Sequence, residues 1–147
     1  MTFRCQVGDS VFLNDNGGGH RWVVITKPNK DGKVVMVNFT SAATCPDTAV
    51  LFTRNDDKEL FSKPTRIHYK YADIFHIKTV MMMVNSTAIV SDYKSCKETI
   101  VTTIIDGAFR SEFTSFAILD ELKEQYPKRY EKFRPLELKE TDFIFPT

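Results

Sequence analysis

The sequence predicts a mainly β, α+β fold: a small, strongly curved β-barrel followed by one or two helices. Short apolar, β-branched runs alternate with turn-forming residues through the first half of the chain. Past about residue 90 the spacing of apolar residues becomes that of a helix. The 147 residues show no internal repeat and no break in composition, which favours one domain over 1–147. We expect the barrel in about 3–90, the helices in about 91–126 and a charged, aromatic tail in 127–147.

Three stretches predict the first strands. "DSVFLND" (9–15) alternates apolar and polar residues and ends at the turn formers "NDNGGG". "RWVVIT" (21–26) is continuously apolar and β-branched, which indicates a strand buried on both faces. "KPNKDGK" supplies a hairpin turn at Asp31 and Gly32, so "VVMVNFTS" (34–41) is expected to be the antiparallel partner strand.

Two further segments complete the predicted barrel. "TAVLFT" (48–53) predicts another strand. "TRIHYKYADIFHI" (65–77) predicts either a last pair of strands or one long bent strand. Arg66 and His68 fall on one face of this segment because side chains alternate along a strand.

Two helices are predicted after the barrel. The segment 91–111 carries an apolar stripe at helical spacing, and Ser91 or Asp92 would cap its start. The segment 111–126 predicts a second helix that Pro127 ends. The apolar stripe of this second helix comprises Phe113, Phe116, Ala117 and Leu122.

Charge, hydropathy and cysteine content exclude several classes of protein. The net charge of +1 produces no global field that would recruit nucleic acid, so any RNA contact must be local. Cys5, Cys45 and Cys96 are far apart and lack zinc spacing, which favours reduced, partly buried thiols. No apolar run reaches the roughly 18 residues of a membrane span, and the N-terminus has no apolar signal-peptide core. We therefore expect a cytoplasmic protein with no membrane association, no metal and no cofactor.

The stretch "GGGHRWVVIT" (17–26) is the strongest candidate for a site. It lacks a Walker lysine and the G-x-G-x-x-G pattern, and a strand rather than a helix follows, so it is not a nucleotide-binding motif. We expect the glycines to form a movable loop above a rigid strand edge that holds His20 and Arg21. In the predicted hairpin, the start of one strand lies beside the end of the other, so Arg21 and Thr40 should be neighbours.

"VGDSVFL", "GGGHRWVVIT" and "VVMVNFTSA" together resemble the MazF/PemK family of toxin ribonucleases, over roughly residues 5–110. The resemblance implies an SH3-like barrel, and it implies that Arg21 and Thr40 lie together in an RNA-cleaving site, with Ser41 as the substitute for Thr40. The family usually has a proline after the arginine, where this chain has Trp22. The chain is therefore similar to a divergent member of that family.

The resemblance further implies a metal-independent endoribonuclease of a toxin–antitoxin pair, which acts on single-stranded RNA, forms a homodimer and is occupied by a small antitoxin protein. In such cleavage the 2′-hydroxyl attacks the phosphorus, and the fixed fork of Arg21 suits the phosphorane. Thr40 would donate a hydrogen bond to the phosphate, and His20 or His68 would exchange protons near neutral pH. The expected substrate-binding residues are Gly18, Gly19, Trp22, Ser41, Arg66 and His68.

The predicted barrel is also compatible with functions other than RNA cleavage. One is a protein-binding module, because a gyrase-poisoning toxin shares the barrel fold, and fold alone does not decide function. In that case the C-terminal helices and the aromatic tail would carry the interaction. A cysteine hydrolase that uses Cys45 and His68 has no nucleophile elbow to support it, and "ATCPDT" reads as a loop.

Overall fold

The computed structural model describes residues 2–15, 18–86 and 92–133. Strands and helices alternate irregularly along these ranges. In chain order they are β1 (Asp9–Asp15), β2 (Gly18–Val24), β3 (Lys33–Ser41), β4 (Thr65–Ile67), β5 (Asp73–His76), α1 (Ile77–Ser86), β6 (Lys94–Ser95), α2 (Glu98–Arg110), α3 (Phe116–Gln125) and α4 (Pro127–Phe133).

The strands form one antiparallel, curled sheet with the order β4-β3-β2-β1-β6. β3 is the central strand, because β2 pairs with its middle while β4 and β5 pair with its two ends. The curved antiparallel sheet with following helices confirms the predicted α+β class.

The hairpin between β2 and β3 forms as predicted. Gly32 adopts a positive φ of 74°, which glycine reaches without strain. The Asn29 side chain accepts hydrogen bonds from the backbone N–H groups of Asp31 and Lys33, which stabilises the turn. The turn therefore confirms the sequence prediction at Asp31 and Gly32.

Gly18 and Gly19 belong to β2, so the prediction that they form a loop over the strand edge is wrong for these two residues. They pair with Asp15 and Asn14 of β1. A Cβ on Gly19 would overlap the ring of Phe12, so glycine lets this ring cross the backbone of β2. Residues 16–17 of the predicted loop lie outside the described residues.

The predicted strand over 48–53 is wrong, because Phe52 makes only an isolated bridge to Thr65 there. The segment 65–77 divides into β4 and β5, and a 3-10 turn over Tyr69–Tyr71 separates them. The two strands pair with β3 rather than with each other. Each therefore extends the same edge of the sheet at a different end of β3.

Helix α1 was not predicted and lies within the range assigned to the barrel. Its buried residues, Val80 and Val84, are four positions apart, as on one face of a helix. They pack against the sheet face that carries Val24 and Met36. Ile77, Val80, Met81 and Val84 have helical spacing, so the sequence carries the signal for this helix although it was not singled out.

The first predicted C-terminal helix begins later than expected. α2 starts at Glu98 with Lys97 in the N-cap position, so Asp92 is not its cap. Ser91 lies outside the described residues. The intervening β6 pairs with β1, and the backbone N–H of Cys96 donates to the carbonyl of Gly8. This edge pairing holds the chain extended and delays the helix.

The second C-terminal helix, α3, begins after Ser115, whose side chain accepts a hydrogen bond from the N–H of Ile118. The predicted apolar stripe is wrong at two positions. Phe116 is 85% exposed and Ala117 is also exposed, whereas Ile118 and Leu119 are buried. The apolar face of α3 is therefore set by its packing on α2 rather than by its largest side chain.

Pro127 ends α3, as predicted, but it also opens α4, because proline suits the first turn of a helix. Tyr130 of α4 is buried, and its ring packs edge-on against Phe109 with centroids 5.6 Å apart. The first part of the predicted tail thus belongs to the core. Residues 134–147 lie outside the described residues.

Two apolar clusters lie on opposite faces of the sheet. The larger one joins Val23 and Val37 to Ile104 and other residues of α2, α3 and α4. The smaller one joins Val24 to Val80 of α1 and to the N-terminal segment. Both faces of β2 and β3 are therefore covered, which fits the prediction that "RWVVIT" is buried on both faces.

Gly107 is a packing point on which we predict a measurable effect. It lies in the buried face of α2, and an added Cβ would overlap Val50 and Tyr69. We expect Gly107→Ala to lower the free energy of unfolding by about 2 kcal/mol, because this overlap outweighs the better helix propensity of alanine. Urea denaturation would measure it, with the exposed Thr103→Ala of the same helix as control. Equal or greater stability of Gly107→Ala would contradict the prediction.

Candidate functional site

An open cleft of about 440 Å³ lies where β2 and β3 meet the loop before β4. We call it the Arg21 cleft. Among the described residues that line it, Arg21 and Lys63 are the cations and none is acidic. The lining residues are Phe12, Gly19, His20, Arg21, Phe39, Thr40, Ser41, Leu60, Ser62, Lys63 and Thr65. Five of the predicted site residues therefore border one cleft, and two cations make it suited to an anion.

Arg21 lies on β2 opposite Phe12 of β1, and its guanidinium is held by several oxygens. Nη1 donates to the Ser10 hydroxyl at 3.2 Å and to the backbone carbonyl of Asp92 at 2.9 Å. Nη2 donates to Oδ1 of the Asp92 carboxylate at 2.9 Å. The Arg21 side chain is only 12% exposed. The guanidinium is thus fixed in direction before any ligand arrives.

Ser10 and β6 explain how Arg21 is oriented. Ser10 is fully buried, and its hydroxyl donates to the carbonyl of Lys94 at 2.7 Å while it accepts from Arg21. Lys94 is also the pairing partner of Ser10 between β1 and β6. Because β6 lies beside β1, it carries Asp92 to the guanidinium.

Thr40 and Ser41 both border the cleft, but they lie on different faces of β3. Arg21 lies two residues before Val23, and Ser41 two residues after Phe39; both Val23 and Phe39 belong to the larger cluster. Alternation therefore places Arg21 and Ser41 on the same face and Thr40 on the other. The strands of Arg21 and Thr40 are neighbours, as predicted, but their side chains are not. Ser41 is the hydroxyl on the face of Arg21.

His20 and Trp22 also alternate to the face opposite Arg21. Trp22 packs against the smaller cluster, and its ring meets that of Phe75 edge-on at 6.0 Å. The indole therefore lies on the face of the sheet opposite the Arg21 guanidinium, where it does not offer a surface for base stacking beside that group. His20 is partly buried and borders the cleft from the strand edge.

Arg66 and His68 do not line the Arg21 cleft. Arg66 pairs with Thr40 across β4 and β3, and its Nη1 donates to the carbonyl of Val50 at 3.1 Å. The His68 ring meets the rings of Tyr71 and Phe113 edge-on, at 4.9 and 5.0 Å. Arg66 thus anchors the chain at Val50, and the His68 ring packs between two aromatic rings. The buried Nε2 of His68 has no hydrogen-bond partner among the described residues. The sequence had assigned both residues to substrate binding.

Sequence reasoning missed four residues around Arg21. Asp92 was considered only as a helix cap, and Ser10 only as part of a strand. Ser62 and Thr65 flank Lys63 at the rim of the cleft and were not singled out. No local motif marks these positions, because the pairing of β6 with β1 and of β4 with β3 brings them together.

The cysteines are free thiols, as predicted. Burial raises the pKa of Cys5 to about 11, with a smaller contribution from the charge of Asp9. Burial likewise raises the pKa of Cys96 to about 11. Burial also raises the pKa of Cys45, whose thiol donates to the carbonyl of Asp47. These shifts keep the thiols protonated at neutral pH, which argues against a cysteine nucleophile.

No family model, no curated protein and no solved structure matches this chain. Among residues 2–15, 18–86 and 92–133, no helix has the length and hydropathy needed to cross a bilayer. The same described residues contain no group of three or more His, Cys, Asp or Glu side chains placed to hold a metal ion. Function is therefore inferred from the residues of the Arg21 cleft themselves.

Proposed function

We propose that the protein is a metal-independent endoribonuclease that cleaves single-stranded RNA in the Arg21 cleft. The observation that supports this function is the shared cleft: Arg21, Ser41, His20 and Lys63 border one open space with no acidic lining residue. Single-stranded RNA is free to bend, so it presents one phosphate to such a cleft. The positively charged and hydroxyl-bearing side chains support this reaction class.

The residues divide the work of a transphosphorylation. The ribose 2′-oxygen attacks the phosphorus, the bond to the 5′-oxygen breaks, and a 2′,3′-cyclic phosphate and a 5′-hydroxyl result. His20 borders the cleft from the face opposite Arg21, so it takes the proton of the 2′-hydroxyl through a bridging water. Water also protonates the leaving oxygen. Arg21 neutralises the extra charge on the pentacoordinate phosphorus. Ser41 donates a hydrogen bond to a non-bridging oxygen, the role first assigned to Thr40, and Lys63 holds a neighbouring phosphate.

The family proposal remains that of a divergent MazF/PemK-like toxin on an SH3-like barrel. The hairpin of β2 and β3, with Arg21 near its open end, supports it. The same proposal includes two partners: the protein forms a homodimer, and a small antitoxin protein binds over the Arg21 cleft. Since the cleft is cationic, we expect the antitoxin to place a carboxylate there.

Cleavage of RNA by the purified protein in EDTA tests this function. We expect new ends that carry a 2′,3′-cyclic phosphate or a 3′-phosphate, together with 5′-hydroxyl ends. Arg21→Ala, purified in the same way, controls for a contaminating ribonuclease. RNA whose nucleotides all carry 2′-O-methyl groups should resist, because the nucleophile is blocked. Absence of cleavage over a broad pool of RNA, by folded protein free of an antitoxin, would contradict the proposal.

A protein-binding module is the second candidate function, and the exposure of Phe116 favours it. This ring stands 85% exposed in the first turn of α3, where a large apolar side chain normally finds a partner. Arg21 would then be a structural cation, neutralised by Asp92. Under this function RNA is not cleaved, and Arg21→Ala leaves partner binding unchanged while Phe116→Ser weakens it.

A further inference from the structure

The two ends of the Arg21 fork have different partners. Nη1 donates to two neutral oxygens, the Ser10 hydroxyl and the carbonyl of Asp92. Nη2 donates to a negatively charged oxygen, Oδ1 of Asp92. Nη1 therefore fixes the direction of the guanidinium, and Nη2 is the end that holds an anion. In this structure that anion is a carboxylate of the same chain.

The anion on Nη2 is accessible. The Asp92 side chain is 38% exposed, whereas that of Arg21 is 12% exposed. Carboxylate and phosphate oxygens suit the same arginine fork, so a phosphate fits where the carboxylate now lies. Asp92 does not itself border the Arg21 cleft, so a ligand of the cleft takes the position on Nη2 only by replacing this carboxylate.

The two residues that follow Asp92 are anchored by their side chains, one to β1 and one to the loop before β4. The Tyr93 hydroxyl donates to Oδ1 of Asp9 at 2.8 Å, and Nζ of Lys94 donates to the carbonyl of Glu59 at 3.1 Å. Withdrawal of the carboxylate therefore requires a change of the Asp92 rotamer rather than a movement of β6. The carbonyl of Asp92 can stay on Nη1 while the carboxylate leaves Nη2.

We propose that Asp92 is a built-in competitor that occupies the phosphate position on Arg21, and that an RNA phosphate must displace it. This inference rests on the proposed function only in naming RNA as the source of the phosphate. It makes Asp92 a specificity-determining residue of the cleft, because a ligand must outcompete a carboxylate. A singly charged or weakly bound anion does not displace the Asp92 carboxylate from Arg21. A chain of phosphates does, because it contacts Arg21 and Lys63 at the same time.

The test compares Asp92→Asn with the wild type. Asparagine keeps the shape and the backbone carbonyl but removes the charge that competes. We expect Asp92→Asn to bind a fluorescein-labelled, single-stranded 2′-O-methyl RNA about tenfold more tightly by anisotropy, at fixed salt. Asp31→Asn makes the same change of net charge in the β2–β3 turn, at the end of β3 away from Ser41, and should stay near wild type.

A second pair of variants isolates the role of Arg21. In an Arg21→Ala background, Asp92→Asn should give no gain, because the position for which Asp92 competes is gone. Unchanged or weaker RNA binding by folded Asp92→Asn would overturn the proposal and make Asp92 a positioning residue for Arg21. Thermal denaturation shows whether each variant is folded. If Asp92→Asn is unstable, Asp92→Ser replaces it in the same binding measurements.

Inorganic pyrophosphate separates this inference from the proposed function. Calorimetry should show tighter pyrophosphate binding by Asp92→Asn than by wild type. If that gain appears while neither protein cleaves RNA, the competitor role stands and the ribonuclease proposal fails. If both proteins cleave RNA but Asp92→Asn gains no affinity for pyrophosphate or for the methylated RNA, the ribonuclease stands and the competitor role fails.

Discussion

Arg21→Ala is expected to reduce RNA cleavage by about a hundredfold to a thousandfold, the usual effect of removing one group that stabilises charge in the transition state. The reason is the preorganised fork: Ser10 and the Asp92 carbonyl fix Nη1, so the guanidinium needs little further ordering once a phosphate has replaced the Asp92 carboxylate on Nη2. The measurement is the initial rate of cleavage in EDTA under single-turnover conditions. Binding of the 2′-O-methyl RNA should weaken less than the rate falls.

Three variants control for side effects of removing Arg21. Arg54→Ala removes an exposed cation and should keep wild-type activity. Arg21→Ala with Asp92→Asn avoids leaving the carboxylate without its partner, so a loss that persists there is not caused by that stranded charge. Arg21→Lys keeps the charge without the fork and should lie between alanine and wild type. Near wild-type cleavage by folded Arg21→Ala would exclude Arg21 from the chemistry.

The hairpin of β2 and β3 is the part of the fold that could be predicted from local sequence. "KPNKDGK" predicted the turn, and Gly32 takes the positive φ that the turn needs. This was enough to place the start of β2 beside the end of β3, and hence Arg21 at the edge where a cleft forms. Turn chemistry and apolar runs are local signals, which explains why this part of the fold could be predicted.

Local sequence did not predict on which face of the sheet the side chains of Arg21 and Thr40 lie. Trp22 pairs with Asn38, so the register places Phe39, and not Thr40, opposite Arg21. A shift of one residue turns every side chain of a strand to the other face. The length of the turn alone did not fix the register to one residue. The sequence therefore predicted that the two strands are neighbours, but it did not establish which of the two hydroxyls, Thr40 or Ser41, shares the face of Arg21.

Asp92 was beyond sequence reasoning for a different reason. β6 contains only two residues, and its pairing with β1 joins positions more than eighty residues apart. A strand of two residues has no periodic pattern that sequence reasoning could detect. The apolar stripe of α2 is clear, and for that reason the helix was predicted to begin too early, at Ser91 or Asp92. Contacts of this kind depend on the assembled sheet, and they turn a predicted helix cap into the partner of Arg21.

Asp47 carries the largest effect that we expect on stability. Its side chain is buried, and Oδ2 accepts from the backbone N–H of Tyr69 at 3.0 Å and from the hydroxyl of Ser111 at 2.7 Å. Oδ1 accepts from the N–H of Ala49 at 3.2 Å. One carboxylate therefore joins the loop before β4, the 3-10 turn and the end of α2.

Asp47→Ala is expected to lower the free energy of unfolding by about 3–5 kcal/mol, because it leaves several buried donors without an acceptor. Asp47→Asn keeps one acceptor oxygen, so it should be less destabilising than alanine. Asp31→Ala, which removes an exposed carboxylate, should change stability by less than about 0.5 kcal/mol. Urea denaturation followed by circular dichroism distinguishes the three. If Asp47→Ala unfolds at the same urea concentration as Asp31→Ala, Asp47 does not hold these segments together, and the core around Tyr69 is sustained by apolar packing alone.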